Sequence, residues 1–323
     1  MNSNSIKKIF LGLTVLTILG CTGCTGLSGS QKKSDAALDT AAADTAADTE
    51  TSEEAASESE NSGAVSFTCE YTNLADSSSC STVEQLLADA GISKERRDVF
   101  LEHVEQFNSS VDRSLLKGGV EKADILSPEY DPYDLQEQWM EKQPDFDGYN
   151  CRITAFGLFG DYLDIDSGGE IRDEELFMDK EALDEDSSVL LHEEDIDAFR
   201  RLFSTIPAEN TKDISVHVNT IQEDWKNRGI HFADNDKVSL ITVWFHDRLS
   251  EDENELFIGH TGVLLTAEEG LYFIEKLAFQ EPYQVIRFES KTDLDTYLMK
   301  KYDTSWGQET APPFVMENDR MMQ

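Results

Sequence analysis

The segment that decides the fold is Val238-Ser-Leu-Ile-Thr-Val-Trp-Phe245, a run of β-branched, aromatic and aliphatic residues. Three further runs of the same kind follow it at 256–265, 271–279 and 283–288. Such runs favour β-strands. The connections between them are short, and Ala267-Glu-Glu-Gly270 is a turn signal, so neighbouring runs are expected to pair antiparallel. The C-terminal part of the chain therefore predicts an antiparallel sheet of about four strands.

Helical patterns, with apolar residues three or four positions apart, occupy the chain before this sheet. Ser81-Thr-Val-Glu84 is a capping box, Ser93 and Asp131-Pro132 are further start signals, and Gly91 and Gly229 follow helix ends. The predicted helices are 81–90, 93–111, 131–143, 151–163, 193–203 and 218–228, with a last one from Thr292 to about 301 after the strands. Helices first and strands later predict a single α+β domain over residues 64–323, with the helices packed on the sheet.

The chain begins with a short export signal. Two lysines precede a 12-residue apolar run, 9–20. As a helix this run is about 18 Å long, too short to cross a hydrocarbon core of about 30 Å. It ends at Ile18-Leu19-Gly20-Cys21, which resembles the lipobox of bacterial lipoproteins. The resemblance implies a signal peptide over residues 1–20 and lipidation, of the palmitate type, at Cys21. The alternative is an ordinary secretory signal cleaved near Gly23.

Residues 21–63 have a different composition. After Cys21 the segment contains no aromatic residue, and its only large aliphatic residues are Leu27 and Leu38. Such a segment cannot bury enough apolar surface to offset its chain entropy, so it is predicted to be a disordered acidic tether. A lipid-anchored domain on this tether is expected at the extracytoplasmic face of the cell membrane.

The chain is strongly acidic, with 65 Asp and Glu against 27 Lys and Arg and a net charge of −38. The acidity belongs to the predicted domain, because residues 64–323 hold 56 acidic and 23 basic side chains. An anionic surface is repelled by nucleic acid and offers no basic patch to anionic head groups, so both functions are excluded. It favours a neutral, zwitterionic or cationic ligand, such as a short peptide. The expected oligomeric state is a monomer.

Three of the five cysteines lie in the predicted domain. Cys69 and Cys80 are eleven residues apart and are candidates for a disulfide in an exported protein. Cys151 is then the unpaired thiol. It begins a predicted helix, where the macrodipole lowers the pKa of a thiol and so increases its thiolate fraction. The alternative is that Cys151 is a small buried core residue, as most free cysteines are.

His260 lies between two glycines at the head of a predicted strand, in Phe257-Ile-Gly-His-Thr-Gly262, and the next strand carries Glu275. A cysteine at a helix start, a His-x-Gly at a strand start and a polar residue on the following strand resemble the papain-like cysteine peptidases and amidases of the NlpC/P60 type. The resemblance implies a papain-like fold with Cys151 as nucleophile, His260 as base and Glu275 as the residue that orients the imidazole. Gln280 is a substitute for this third role. The backbone N–H of Cys151 is the implied donor to the oxyanion.

The sequence departs from the peptidase pattern around the cysteine, where Asn150-Cys-Arg-Ile-Thr154 stands. For His260 the alternative is a hydrogen-bonded histidine at a strand end. For Glu275 it is an ion pair with Lys276 or Arg287.

A longer resemblance covers most of the domain. It rests on Asn150-Cys-Arg-Ile-Thr-Ala155, Phe177-Met-Asp-Lys180, Asp224-Trp-Lys-Asn-Arg-Gly229, Gly259-His-Thr-Gly-Val-Leu264 and Phe279-Gln-Glu-Pro-Tyr283. These segments resemble a family of bacterial lipoproteins known as domain of unknown function 4300, over roughly residues 70–320. The resemblance implies a lipid-anchored protein of a Gram-positive-type envelope and brings no activity with it.

An acidic segment, 164–175, is a weak candidate for a calcium loop. Asp164, Asp166 and Glu175 occupy ligand positions 1, 3 and 12 of the twelve-residue pattern. Gly168 at position 5 offers no side-chain ligand, and Arg172 at position 9 adds a repelling charge. The alternative is a solvated acidic loop. The histidines have no zinc-type spacing, so no metal or other cofactor is expected.

Two functions from different classes follow from these patterns. The first is a lipid-anchored envelope protein that acts as a cysteine peptidase or amidase on a peptide or amide bond of wall material. The second is a non-catalytic envelope binding or accessory lipoprotein, in which Cys151 is a core residue.

Overall fold

The computed structural model describes residues 66–166, 168–248, 250, 253–303 and 305–322. The predicted signal peptide, the lipidation site Cys21 and the tether to residue 63 lie outside the described residues. All described residues belong to one compact unit, 64–323. Within them, no helix is both long enough and apolar enough to cross a membrane.

Nine of the eleven described strands form one antiparallel sheet. In chain order the strands are β1 (Thr68–Thr72), β2 (Glu121–Asp124), β3 (Leu163–Ile165), β4 (Ile206–Pro207), β5 (Ile230–Phe232), β6 (Val238–Arg248), β7 (Asn254–Ala267), β8 (Gly270–Lys276), β9 (Tyr283–Phe288), β10 (Phe314–Glu317) and β11 (Arg320–Met321). Their order across the sheet is β11-β10-β6-β7-β8-β9-β1-β2, with β4 also paired to β7, while β3 and β5 pair separately. The central strands β6 to β9 confirm the predicted meander. The estimate of about four strands is wrong, because short strands from both ends of the domain extend the sheet.

Eight α-helices are described: α1 (Ser77–Ala90), α2 (Lys94–Ser110), α3 (Pro132–Lys142), α4 (Cys151–Phe159), α5 (Phe177–Glu185), α6 (Asp195–Phe203), α7 (Ile214–Asn227) and α8 (Lys291–Tyr302). Seven correspond to predicted helices, and α5 does not. The predicted start of α1 at Ser81 is wrong, because the Asp76 carboxylate caps the helix earlier by accepting hydrogen bonds from the N–H groups of Ser78 and Ser79. Likewise Ser290, not Thr292, caps α8.

The sheet has a hydrophobic core on each face. Because successive strand residues point to opposite faces, Leu240 and Trp244 of β6 pack with α1 to α7, whereas Ile241 and Val243 pack with α8. Burial on both faces explains why the strand sequences are nearly continuous apolar runs instead of alternating ones. The α+β prediction is confirmed. The sheet on which the candidate site lies is buried on both faces.

The predicted disulfide between Cys69 and Cys80 is not formed, since both are free thiols. Cys69 packs with the core on the α8 face, whereas Cys80 packs with the core on the opposite face. The Cys80 thiol donates a hydrogen bond to the carbonyl oxygen of Leu74 (Sγ–O 3.2 Å). The sheet therefore separates two cysteines that are close in sequence.

Candidate active site

The site begins at the N-terminus of α4, where Cys151 is the first helical residue. The Asn150 side chain caps the helix by accepting a hydrogen bond from the N–H of Ile153 (3.0 Å), and its amide donates to the Asp179 carboxylate (2.8 Å). Asp179 is fully buried and also accepts two hydrogen bonds from the Arg152 guanidinium (2.9 and 2.7 Å). These bonds fix the first turn of the helix, and with it the thiol of Cys151.

An uncovered stretch of β7 receives this turn. One edge of β7 pairs with β6 along nearly its whole length. Along the other edge, β8 pairs only with residues 263–267 and β4 only with 255–256, so no described strand covers 257–262. The Arg152 side chain donates to the carbonyl oxygen of Ile258 here (3.3 Å). Because β7 and β8 separate at this point, the start of α4 reaches the sheet between them.

His260 lies in this gap. The register between β6 and β7 shifts at a bulge between Val243 and Trp244, beside His260. Such bulges re-aim neighbouring side chains. Gly262 lies where the strands come together again: a Cβ placed on it would be 2.6 Å from the carbonyl oxygen of Ile274 on β8. Gly262, two residues after His260, is thus needed for the close approach of β7 and β8.

His260 and Glu275 form a buried pair. The Nε2 atom of His260 is 2.5 Å from the Oε2 atom of Glu275, and neither side chain is more than 2% exposed. The other carboxylate oxygen accepts hydrogen bonds from the amide of Gln284 and the hydroxyl of Tyr297, each at 2.6 Å. Gln280 lies in the turn before β9, and among the described residues it makes no hydrogen bond to His260 or Glu275. Glu275 is therefore the residue that holds the imidazole.

The electrostatics of the cluster couple Cys151 to His260. Burial raises the pKa of Cys151, but the interaction with His260 and the charge of Arg152 outweigh burial and lower the pKa. Burial lowers the pKa of His260, but the interactions with Cys151 and Glu275 raise it overall to about 9. The pKa of Glu275 is lowered, because its interaction with His260 outweighs burial. These directions favour a thiolate beside an imidazolium over the neutral pair.

The cluster is closely covered. Cys151 is 7% exposed, His260 1% and Glu275 0%. The ring of Tyr302, the last residue of α8, stacks on the imidazole with centroids 4.6 Å apart and planes 21° from parallel. A ligand must therefore approach from the side on which the cysteine keeps its small exposed area.

Three side chains around the cluster are absent from the sequence prediction: Gln284, Tyr297 and Tyr302. Gln284 had a signal, since it interrupts the apolar run of β9 and pairs directly with Glu275 in the strand register. The two tyrosines had none, because they reach the site only through the way α8 crosses the sheet.

The acidic segment 164–175 does not converge on a cation site. Asp164 lies in β3, whereas Glu175 lies in a 3₁₀ turn, Glu174–Leu176. Over the described ranges of the chain, no group of three or more His, Cys, Asp or Glu side chains is placed to hold a metal ion. The calcium hypothesis gains no support from this arrangement.

The fold and the cluster define an α+β protein with a buried cysteine, histidine and glutamate brought together at a split in the sheet. Residues 70–322 match the family described as a domain of unknown function, DUF4300, and the chain belongs to that family. The membership of this domain family that the sequence predicted is thereby confirmed. No curated protein and no solved structure was found to match the chain. Membership of this family assigns no activity to the chain.

Proposed function

We propose that this protein is a thiol hydrolase of the papain-like, NlpC/P60 type, with Cys151 as nucleophile, His260 as acid and base, and Glu275 as the residue that orients the imidazole. The observation that carries the proposal is the buried Glu275–His260 hydrogen bond beside the start of α4, where Cys151 is close enough to the same imidazole for each to shift the pKa of the other. Residues from α4, β7 and β8 thus meet at one place, and the base lies between the nucleophile and the orienting carboxylate, as nucleophilic catalysis requires.

The reaction that fits this geometry is acyl transfer to the thiolate. Cys151 attacks the carbonyl carbon of an amide, and its own backbone N–H, which as the first of α4 has no intrahelical acceptor, donates to the developing oxyanion. The imidazolium of His260 gives its proton to the leaving amine, which departs as the C–N bond breaks. His260 then takes a proton from water, which attacks the thioester, releases the acid and restores the thiolate.

Two features support the papain-like arrangement. The cysteine opens a helix that packs against an antiparallel sheet, and the histidine lies on the strand whose edge that helix covers. In addition, His260 binds Glu275 through its ring nitrogen Nε2. Its other ring nitrogen, Nδ1, is then the one available to exchange a proton with Cys151.

The cell envelope is the proposed location. Cys21 would carry the lipid anchor, and the segment to residue 63 would hold the domain away from the membrane at its extracytoplasmic face. The domain's excess of acidic side chains supports a neutral or cationic substrate, such as a wall peptide, over an anionic polymer. A monomer suffices, because all three residues come from one chain.

A non-catalytic binding or accessory lipoprotein is the second candidate. The observation that favours it is burial, since Cys151 is 7% exposed and both of its partners are less exposed still. In that case the Cys–His–Glu cluster is a satisfied polar core, and the thiol does not react.

Site-resolved alkylation separates the two candidates. The full chain in detergent is treated with iodoacetamide across pH, and modification of Cys151 is followed by peptide mass spectrometry. Since the pKa of Cys151 is lowered and that of His260 is raised to about 9, the thiolate should react well below the ordinary thiol pKa of about 8.5. In His260→Ala the larger of the interactions that oppose the burial of the thiol is lost and the charge of Arg152 alone remains, so the reaction should move to higher pH.

The matched control is His231→Ala, which removes a histidine whose side chain is 56% exposed and far from the cluster in its contacts. It should leave the pH profile of Cys151 unchanged. If Cys151 resists alkylation equally in the wild type and in His260→Ala, the hydrolase proposal is wrong and the binding function stands.

A further inference from the structure

Tyr302 carries a polar atom that the cluster does not use. Its ring stacks on His260, and its hydroxyl oxygen is buried without a hydrogen-bond partner among the described residues. A buried hydroxyl without a partner costs about 1–3 kcal/mol, so most are hydrogen-bonded. An exception beside a reactive thiol calls for an explanation.

The other tyrosine of α8 gives the contrast. Tyr297 donates its hydroxyl to Glu275 (2.6 Å), and Gln284 donates to the same oxygen. The second oxygen of Glu275 binds His260. The carboxylate is thus held without Tyr302, whose hydroxyl is not required to orient the imidazole.

The surroundings of Tyr302 keep its hydroxyl protonated. Burial raises the pKa of the phenol, and the charges of Glu275, Cys151 and Glu281 raise it further. At every pH at which Cys151 is a thiolate and His260 an imidazolium, Tyr302 is therefore a neutral hydrogen-bond donor.

The other buried hydroxyls without partners among the described residues, those of Ser93, Thr154 and Tyr283, are poor candidates for the same role. Thr154 and Tyr283 line a small cavity with His103 and Arg96. Ser93 is the N-cap residue of α2. Of these hydroxyls, that of Tyr302 belongs to the residue whose ring contacts His260 of the Cys–His–Glu cluster.

We propose that the hydroxyl of Tyr302 donates a hydrogen bond to the carbonyl oxygen of the acyl group that Cys151 attacks. This inference rests on the proposed hydrolase function. As the thiolate electron pair forms the C–S bond, the carbonyl π electrons move onto oxygen, which accepts hydrogen bonds from Tyr302 and from the backbone N–H of Cys151. When the intermediate collapses, the leaving group departs and the C–S bond remains. Tyr302 neither gains nor loses a proton.

The test compares two reactions of the same thiol in the full chain. Acylation by p-nitrophenyl acetate passes through an oxyanion, and p-nitrophenolate leaves; alkylation by iodoacetamide displaces iodide at a saturated carbon and forms none. Tyr302→Phe keeps the stacked ring and removes only the hydroxyl. It should slow acylation of Cys151 by about a hundredfold, the usual cost of losing one oxyanion donor, and change alkylation by less than about threefold.

Tyr297→Phe is the matched control, because it removes a hydroxyl from the same helix that binds Glu275 instead. Its acylation and alkylation should change by the same factor. Thermal unfolding gives a second readout: Tyr302→Phe loses no hydrogen bond, so its melting temperature should equal or exceed that of the wild type.

The outcomes separate the two proposals. If the wild type is acylated but the ratio of the two rates is the same in Tyr302→Phe, the role of Tyr302 is wrong and the hydrolase remains. A large loss of thermal stability in Tyr302→Phe would also overturn it, since the hydroxyl must then have a structural partner. If Cys151 reacts with neither reagent in the wild type, the hydrolase proposal fails and the role of Tyr302 fails with it.

Discussion

At the residue scale, the central question is what a fully buried carboxylate does beside a histidine. Glu275 has no exposed surface, yet its pKa is lowered, because its bond to His260 outweighs burial. A buried charge is tolerated only when it is paired and hydrogen-bonded, and His260, Gln284 and Tyr297 supply those partners. The pair therefore stabilises the protonated imidazole as well as its orientation.

Replacing the carboxylate of Glu275 should lower the pKa of His260 and so disfavour the ion pair between Cys151 and His260. In Glu275→Gln the contribution of the carboxylate to the raised pKa of His260 is lost, while the contribution of Cys151 and the burial that lowers the pKa remain. The pKa of His260 should fall, the imidazolium should be less populated, and alkylation of Cys151 at pH 7 should slow by about tenfold. Peptide mass spectrometry after timed treatment with iodoacetamide measures this rate.

Gln280→Ala is the control for this change, since Gln280 is the other residue that the sequence suggests for the third role. It should leave the rate unchanged, because Gln280 makes no described hydrogen bond to the cluster. If alkylation of Cys151 were slow in Gln280→Ala and unchanged in Glu275→Gln, the orienting residue would be Gln280 and not Glu275.

The three central residues were accessible from the sequence because their types and chain order carry the signal. A cysteine at a helix start, a histidine before a glycine on a strand, and a glutamate on the next strand are local patterns. The contribution of Tyr302 was not accessible, because it depends on a ring-on-ring contact between residues on β7 and α8. No spacing in the sequence encodes that contact.

At the element scale, the separation of β7 from β8 decides where the site lies. The two strands pair from Val263 and Ile274 towards their turn, and they diverge on the other side of Gly262. The start of α4 occupies the space between them, and the Arg152 guanidinium donates a hydrogen bond to the carbonyl oxygen of Ile258. The candidate site thus lies where the separation of β7 from β8 meets the N-terminus of α4.

Gly262→Ala tests this arrangement. Its Cβ would be 2.6 Å from the carbonyl oxygen of Ile274, so β7 and β8 must move apart and shift His260 relative to Glu275. We expect a loss of about 1–3 kcal/mol in the free energy of unfolding, together with slower alkylation of Cys151 under conditions in which the protein is folded. Denaturant unfolding and timed alkylation measure the two effects.

Gly119→Ala is the matched control, because the nearest atom to its Cβ is 3.7 Å away, an ordinary contact. It should change neither stability nor reactivity appreciably. Equal behaviour of the two variants would show that close approach at Gly262 does not position the histidine.

The elements that the sequence predicted well are those with strong local signals. The strands β6 to β9 are long apolar runs, and seven helices have apolar periodicity with start or stop residues. By contrast, β2 is Glu-Lys-Ala-Asp, with little intrinsic preference for a strand, and it forms through pairing with β1. Helix α5 starts without a side-chain cap directly after a 3₁₀ turn, so its start carried no signal.

At the scale of the whole molecule, the excess of acidic side chains lies at the surface. Residues 64–323 hold 56 acidic and 23 basic side chains, a net charge of −33. Among the described residues, three basic side chains (Arg96, Arg228 and Lys276) and three acidic ones (Asp179, Asp195 and Glu275) are buried. Burial therefore leaves the acidic excess outside the core, where self-repulsion among surface carboxylates opposes the compact state.

Added salt should therefore stabilise this protein. The Debye length shortens from about 10 Å at 0.1 M to about 3 Å at 1 M, so NaCl screens repulsion between surface carboxylates more than it weakens the buried pairs. We expect the melting temperature at pH 7.5 to rise between these concentrations, as followed by circular dichroism. The control is the same pair of measurements near pH 4, where many carboxyl groups are protonated and there is less repulsion to screen. A melting temperature that falls with salt at pH 7.5, or rises equally at both pH values, would show that surface repulsion does not limit the stability of this domain.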